Sequence, residues 1–543
     1  MATTLNDTPL WRLQQTLNHI QPQSVREDAE KLSIVHGPTQ PALWEMTLGE
    51  LLEFQCLRYR DLECVIVPWT GARWTYGRLE HESNRLARGL LAKGIQQGDR
   101  IACKLLFIVP RIGRHNLENA LEDLASSTIS KQLPNLEETI MLQGSYGKFG
   151  TYQGVIQAGS SIPVNAVQRR QDTLSPYDVC NLQFTSGSTG NPKAAMLTHH
   201  NLINNSRFIG DRMDFTESDI LCCPPPLFHC FGLVLGLLAC ITHGAKIVYP
   251  GETFDPAAVL KAISDERCTA LHGVPTMFEA ILALPTPDTF DCSQLRTGII
   301  AGAPVPRPLM KRLWNELNMT EFTSSYGLTE ASPTCFNAFT SDSIDTRLTT
   351  VGKVLPHASA KIINPQTLET LKVGEKGELC MSGYQIHKGY WENPEKTAEA
   401  LLQDEDGTVW LRTGDEAVFN SDGYCSITGR FKDIIIRGGE NIYPLEIEER
   451  LTAHPAISRA AVVGIPDKHY GEVVGAFLVL EAGHTSPSAE EVRDWTREKL
   501  GRHKAPKHIF VFGSDPRLPA DIPQTGSGKV QKQILRDLGK KLV

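Results

Sequence analysis

No Cys-x-x-Cys spacing occurs among the thirteen cysteines of this 543-residue chain, and the adjacent pair Cys222-Cys223 is a poor chelator. That removes zinc-ribbon and dithiol-redox readings. An odd, scattered count instead predicts reduced, mostly buried thiols in an intracellular protein. Long apolar runs are missing too: the longest, Phe231 to Ile241, is interrupted by Gly232 and Gly236 and is too short to span a bilayer. No transmembrane segment is therefore expected. A dominant charge of one sign is also missing, and a net charge of −8 gives no reason to propose nucleic acid as a partner. No apolar signal core follows Met1, so secretion is not expected. Internal repeats, low-complexity tracts and long linkers are absent as well. What remains is an ordinary globular composition, 41% hydrophobic and 21% charged, long enough for several domains. Oligomeric state is not legible.

Five segments carry chemistry. The first is Phe184-Thr185-Ser186-Gly187-Ser188-Thr189-Gly190-Asn191-Pro192-Lys193. Glycines admit close backbone approach, hydroxyls and amides donate, and a lysine adds charge, a combination that suits a polyphosphate. It is not a Walker loop, because Asn191 stands where the lysine after Gly190 should be. Taken alone it reads equally well as a solvated turn. Tyr326-Gly327-Leu328-Thr329-Glu330 follows, pairing a hydroxyl for a phosphate oxygen with a carboxylate for Mg2+. Leu411-Arg412-Thr413-Gly414-Asp415 offers an acceptor for sugar hydroxyls, and Gly429 to Pro444 and Gln524 to Val530 complete the set.

These five segments, in this order, resemble the adenylate-forming superfamily of acyl-CoA synthetases, luciferases and adenylation domains. Arg437 to Pro444 and Gly389-Tyr390-Trp391 are most similar to medium-chain acyl-CoA synthetases. The resemblance implies an α/β fold, with a large multi-subdomain N-terminal domain over residues 1–430 and a small mobile C-terminal α/β lid over 433–543, hinged near 431–433. It implies an acid–thiol ligase using ATP, Mg2+ and CoA: a carboxylic acid becomes acyl-AMP with loss of pyrophosphate, and CoA then takes the acyl group.

By motif match, Thr185, Ser186, Gly187, Ser188, Thr189, Gly190 and Lys193 would cradle the β- and γ-phosphates. Thr329 would touch the α-phosphate and Glu330 would support Mg2+. Tyr326 would lie on adenine, opposite Gly302, Ala303 and Pro304; Asp415 and Arg430 would bind ribose. Lys529 would bridge carboxylate and α-phosphate, a place where a cation lowers the barrier whatever the family. Lys432 would be the hinge, although by itself it reads as a solvated surface charge, and Gly438, Gly439 and Glu440 would meet CoA. His229, in Pro226 to Gly232, would gate the carboxylate entrance or else be a packed histidine, and Phe231 to Leu238 would line an apolar acyl pocket.

Locally, Trp74-Thr75-Tyr76 and the residues after it predict a strand and an amphipathic helix, Asn201 to Ile209 a helix, and Val248 to Ile281 alternating strands and helices. One stretch departs from the family. Between Arg100 and Phe184, over 101–183, relatives carry a strand, a helix and a Gly-Ala … Asn-Pro segment, whereas this chain reads Lys104 to Arg114 and then the polar Asn116 to Leu124, and the family wording returns only around Leu133 to Leu136. Core strands are expected to be missing there, which leaves open a mis-spliced gene model or a catalytically impaired adenylate-binding protein. Arg12 to Ile20 resembles an N-terminal peroxisomal address, though a short amphipathic helix reads as well, and the chain ends Lys541-Leu542-Val543 rather than Ser-Lys-Leu. Fungal acyl-CoA ligases of siderophore or secondary metabolism, such as mevalonyl-CoA ligases, combine such an address with this fold.

Overall fold

A computed structural model describes residues 31–543 except 114, 127–131, 186–191, 285–289, 303–304, 482 and 526–527. The Arg12 to Ile20 segment therefore lies outside the described residues. So do Ser186, Gly187, Ser188, Thr189, Gly190, Ala303 and Pro304.

The large N-terminal portion is built from several sheets sharing helices. Three short apolar strands, Ala270–Leu271, Ile220–Cys222 and Lys246–Val248, run parallel and continue into Glu63–Val67, whose antiparallel partner is Ala72–Thr75. Helices between strands supply the crossovers that parallel pairing requires: Pro256–Glu266 begins at Asp255, whose carboxylate accepts from the Ala257 N–H. The expected helix after the phosphate loop runs over His199–Arg212, and the expected strand and helix near Trp74 are Ala72–Thr75 and Tyr76–Ala92.

Helix His199–Arg212 opens with a reciprocal cap between Thr198 and Asn201 and is buried almost all round. Its polar residues are spent on neighbouring backbone: Asn205 donates to the Thr334 carbonyl at 2.9 Å, and Arg212 donates to the Asn337 and Val354 carbonyls at 3.0 and 3.1 Å. A buried polar group without such partners would cost stability, so these bonds fix the helix against the sheet that carries Tyr326. Beside it lies Phe231–Leu238, a π-helix without a polar side chain, buried as its composition requires. At its start a Cβ on Gly232 would stand 2.4 Å from the Pro226 carbonyl oxygen, so only glycine fits.

A six-stranded antiparallel sheet follows, in which Val409–Phe419 pairs with Gly377–Gly383, Leu401–Gln403 and Cys425–Arg430. From Arg430 the chain makes one turn, Phe431–Asp433, and enters a separate five-stranded sheet. That sheet is apolar on both faces. Along Gly471–Leu480, Val474, Ala476 and Leu478 pack with Ile447 and Leu451 of helix Pro444–Thr452, while Val473 and Phe477 face Leu535 of helix Lys532–Leu542. Alternation with period two thus builds a core on each side.

The departure after Arg100 is visible. A single helical turn, Ile101–Lys104, leads into a parallel sheet of three strands: Leu105–Ile108, Glu138–Met141 and Gly150–Thr151. Leu105–Ile108 is an edge strand here, with Leu105 buried and Leu106 to Ile108 half-buried. Ten of the thirteen cysteines are buried free thiols, as expected from their scatter. No helix among the described residues is long and apolar enough to cross a membrane.

Candidate active site

Antiparallel register brings the first site pair together. Asp415 lies opposite Arg430 on adjacent strands, and the Arg430 Nε stands 2.8 Å from Asp415 Oδ1. Tyr326, at the end of strand Thr323–Gly327, donates its hydroxyl to the other carboxylate oxygen at 2.6 Å. Each carboxylate oxygen can accept a second bond, so the arrangement orients Asp415 without exhausting it. Gly327 permits the turn that follows: a Cβ there would sit 2.0 Å from the Pro333 carbonyl oxygen. The loop it opens carries Thr329 and Glu330 as a short 3-10 turn.

Lys529 arrives from more than ninety residues further along. Its loop is self-bonded, with the Thr525 N–H donating to the Lys529 carbonyl at 2.8 Å and the Lys529 N–H to Thr525 Oγ1 at 3.1 Å. A Cβ on Gly528 would come within 3.0 Å of Val274 and 3.4 Å of Thr276, so the loop lies directly against the start of helix Pro275–Leu282. Desolvation by the protein packed around it, then the neighbouring Arg430 guanidinium, push the Lys529 ammonium down to about 8, although the side chain still reaches solvent. Lys432 is lowered by the same two causes in the same order, and His229 by burial and then by Lys529. Cations thus outnumber the carboxylates that face them, an arrangement that favours a bound polyanion. His229 Nδ1 accepts from the Phe231 N–H at 3.1 Å, which fixes the ring at the head of the apolar π-helix.

A second cluster lies where strands Val179–Thr185 and Lys193–Thr198 pair. Thr185 ends strand Val179–Thr185 and Lys193 begins Lys193–Thr198, the two paired across the ladder. Lys193 Nζ donates to the Tyr390 hydroxyl at 3.0 Å, and that hydroxyl donates to Glu330 Oε1 at 2.6 Å. Gly302 has a left-handed φ of +87° and faces Val274.

The CoA-assigned residues are held elsewhere. Gly438 and Gly439, both at positive φ, form the two-residue turn between Ile435–Arg437 and Glu440–Ile442. The Gly438 N–H donates to the Tyr470 carbonyl at 2.8 Å, and Glu440 lies exposed, 3.5 Å from His503. Those contacts are within the C-terminal sheet and the residues packed beside it. Tyr390, His387 and the Val274–Thr276 turn were not assigned site roles from sequence, although Gly389-Tyr390-Trp391 is itself part of the family wording.

The pattern described as AMP-binding enzyme matches residues 103–391, and that of the AMP-binding enzyme C-terminal domain matches 446–529. The chain belongs to the AMP-binding enzymes. This AMP-binding enzyme is 79% identical to acyl-CoA ligase SID4 of Ajellomyces capsulatus over 586 aligned positions, covering all of both chains. It is 62% identical to acyl-CoA ligase sidI of Aspergillus fumigatus, covering 97% of this chain and 96% of that one. Among solved structures, ATP-bound MatB of Rhodopseudomonas palustris superposes with a TM-score of 0.73 at 25% identity, over 92% of this chain and all of that one. The SID4 alignment is 43 positions longer than this 543-residue chain, so at least that many of its positions have no residue here.

Proposed function

We propose that this AMP-binding enzyme is an ATP-dependent, AMP-forming acyl-CoA ligase. One observation carries the reading: a lysine near the far end of the chain is brought within electrostatic reach of Arg430, Asp415 and His229, where an acid and a nucleotide phosphate would have to meet. The names of its relatives point the same way.

In the first step a carboxylate oxygen bonds to the α-phosphorus and the bond to the β-phosphate oxygen breaks, releasing pyrophosphate. Lys529 stabilises the charge gathering on the α-phosphate oxygens, Thr329 donates to one of them, and Lys193 holds the departing phosphates. Asp415 and Arg430 hold the ribose, with Tyr326 against adenine. In the second step the CoA sulfur, losing its proton, bonds to the acyl carbon while the bond to AMP breaks. For that step the lid, residues 433–543, turns about 431–433 relative to residues 1–430 and presents Gly438 to Glu440.

Mg2+ is commonly held by one or two carboxylates together with substrate phosphates, and Glu330, a lone carboxylate beside the phosphate-loop lysine, fits that donor set. Bound there, it would neutralise phosphate charge. The acid is bound between His229 and the wall formed by Phe231 to Leu238, which suits an aliphatic chain.

The test is pyrophosphate release from the purified protein with ATP and Mg2+ against short and medium aliphatic acids and mevalonate, with and without CoA. Acid-dependent release, with an acyl-CoA product when CoA is present, is expected. A folded protein that binds ATP but releases nothing with any acid would instead favour the adenylate-binding, non-catalytic alternative.

A further inference from the structure

Residues 387–391 are fastened to both halves of the phosphate side of the site. The Met196 N–H donates to the Gly389 carbonyl at 3.0 Å, the Lys388 N–H to the Met196 carbonyl at 3.0 Å, and the Trp391 N–H to the Ala194 carbonyl at 2.8 Å. The segment is thereby zipped onto the strand that begins with Lys193. On its other flank the His387 N–H donates to the Glu330 carbonyl at 2.9 Å. Gly389, at φ +110°, turns the chain between these attachments, and the Tyr390 N–H is held by Thr397 Oγ1 at 2.9 Å.

Tyr390 is 5% exposed, and its hydroxyl does two things at once: it accepts from Lys193 Nζ and donates to Glu330 Oε1. Lys193 Nζ also sits 4.1 Å from the centre of its ring. The His387 ring packs edge-on against that ring at 4.9 Å and is 3% exposed, with neither nitrogen in a well-formed hydrogen bond beyond an approach to the Gly389 backbone. Burial holds His387 neutral, near 4, so it adds packing without a competing charge.

We propose that Tyr390 is a positioning residue, which keeps the Lys193 ammonium and the Glu330 carboxylate apart and aimed so that both stay available to the nucleotide. The inference rests on the ligase reading for what Lys193 and Glu330 bind. A neutral group that accepts from an ammonium while donating to a carboxylate is a hydroxyl. Without it the two charges are free to close on each other, and a direct ion pair would have to be broken before phosphate and Mg2+ could bind.

The test is calorimetric titration of ATP into the full-length protein without acid, across a Mg2+ series, for wild type, Tyr390→Phe, Glu330→Gln and the double variant. Loss of one charge-assisted bond predicts a roughly tenfold higher Mg2+ concentration for half-maximal ATP affinity in Tyr390→Phe. In the Glu330→Gln background the same change should have little effect, because the carboxylate to be kept apart is gone. An unchanged Mg2+ dependence, or losses that simply add, overturns the proposal. Should Tyr390→Phe not fold, Tyr390→Met removes the hydroxyl while keeping apolar bulk and is read against the same outcomes. If wild type binds ATP but forms no acyl-CoA, the ligase reading fails; if it forms acyl-CoA and Tyr390→Phe keeps the wild-type Mg2+ dependence, only this inference does.

Discussion

At the scale of single residues, Lys529 carries the electrostatics of the proposed reaction. Desolvation by the surrounding protein and then Arg430 bring it down to about 8, so without nucleotide its charge is lost as pH rises through that value. The proposed adenylation step needs the charged form, and kcat/KM reports the free enzyme. The adenylation kcat/KM should therefore be flat at neutral pH and fall above about 8. The limb in kcat should lie higher, because bound ATP restores the charge. Pyrophosphate exchange followed across the alkaline range checks this, and a profile with no decline well above pH 8 would contradict it. Lys529→Ala should slow adenylation roughly 10²–10³-fold. Acyl-CoA formation from supplied acyl-AMP should change far less, so equal losses in the two half-reactions would remove Lys529 from the proposed role.

At the scale of elements, the turn Phe431–Asp433 is the short covalent passage between the sheet carrying Asp415 and Arg430 and the sheet of the lid. Arg536, from the last helix, donates to the Lys432 carbonyl at 3.1 Å and pairs with Asp433 at 2.8 Å, clasping the turn from the lid side. The proposed lid rotation, at so few residues, needs backbone freedom there. Lys432→Pro fixes φ, so CoA transfer should fall more than adenylation; parallel losses in both would place the hinge elsewhere. What the sequence made legible here is what is local. The Thr413-Gly414-Asp415, Gly429-Arg430 and Gly528-Lys529 wording could be read directly, as could the strand and helix near Trp74. The meeting of Tyr390 with Glu330 and Lys193 could not, because those partners stand 60 and 197 positions away and nothing in the spacing encodes the contact. The register that sets Asp415 opposite Arg430 was hidden for the same reason, since it depends on an eleven-residue strand folding back on its neighbour.

At the scale of the whole molecule, the unusual feature is the passage from Arg100 to Leu105. Resemblance puts a strand and a helix of the relatives just after Arg100, and the SID4 alignment leaves at least 43 positions without a residue in this chain. After Arg100 one helical turn leads into Leu105–Ile108, which among the described residues has a partner strand on one side. An apolar parallel strand at a sheet edge presents both unpaired backbone groups and hydrocarbon to water. Around it Ile101 is 38% and Ile112 42% exposed. Each further 100 Å² of apolar surface covered is worth about 2.5 kcal/mol, a sizeable fraction of the roughly 5–15 kcal/mol that holds a domain folded. Restoring the SID4 residues without a counterpart here, inserted after Arg100 where the resemblance puts the missing strand and helix, should therefore raise Tm by several degrees and lower light scattering on heating. The nucleotide motifs lie outside the splice, so ATP affinity should change little. A spliced protein with the same or a lower Tm would mean that the short connection and its three-stranded sheet already form a self-sufficient edge.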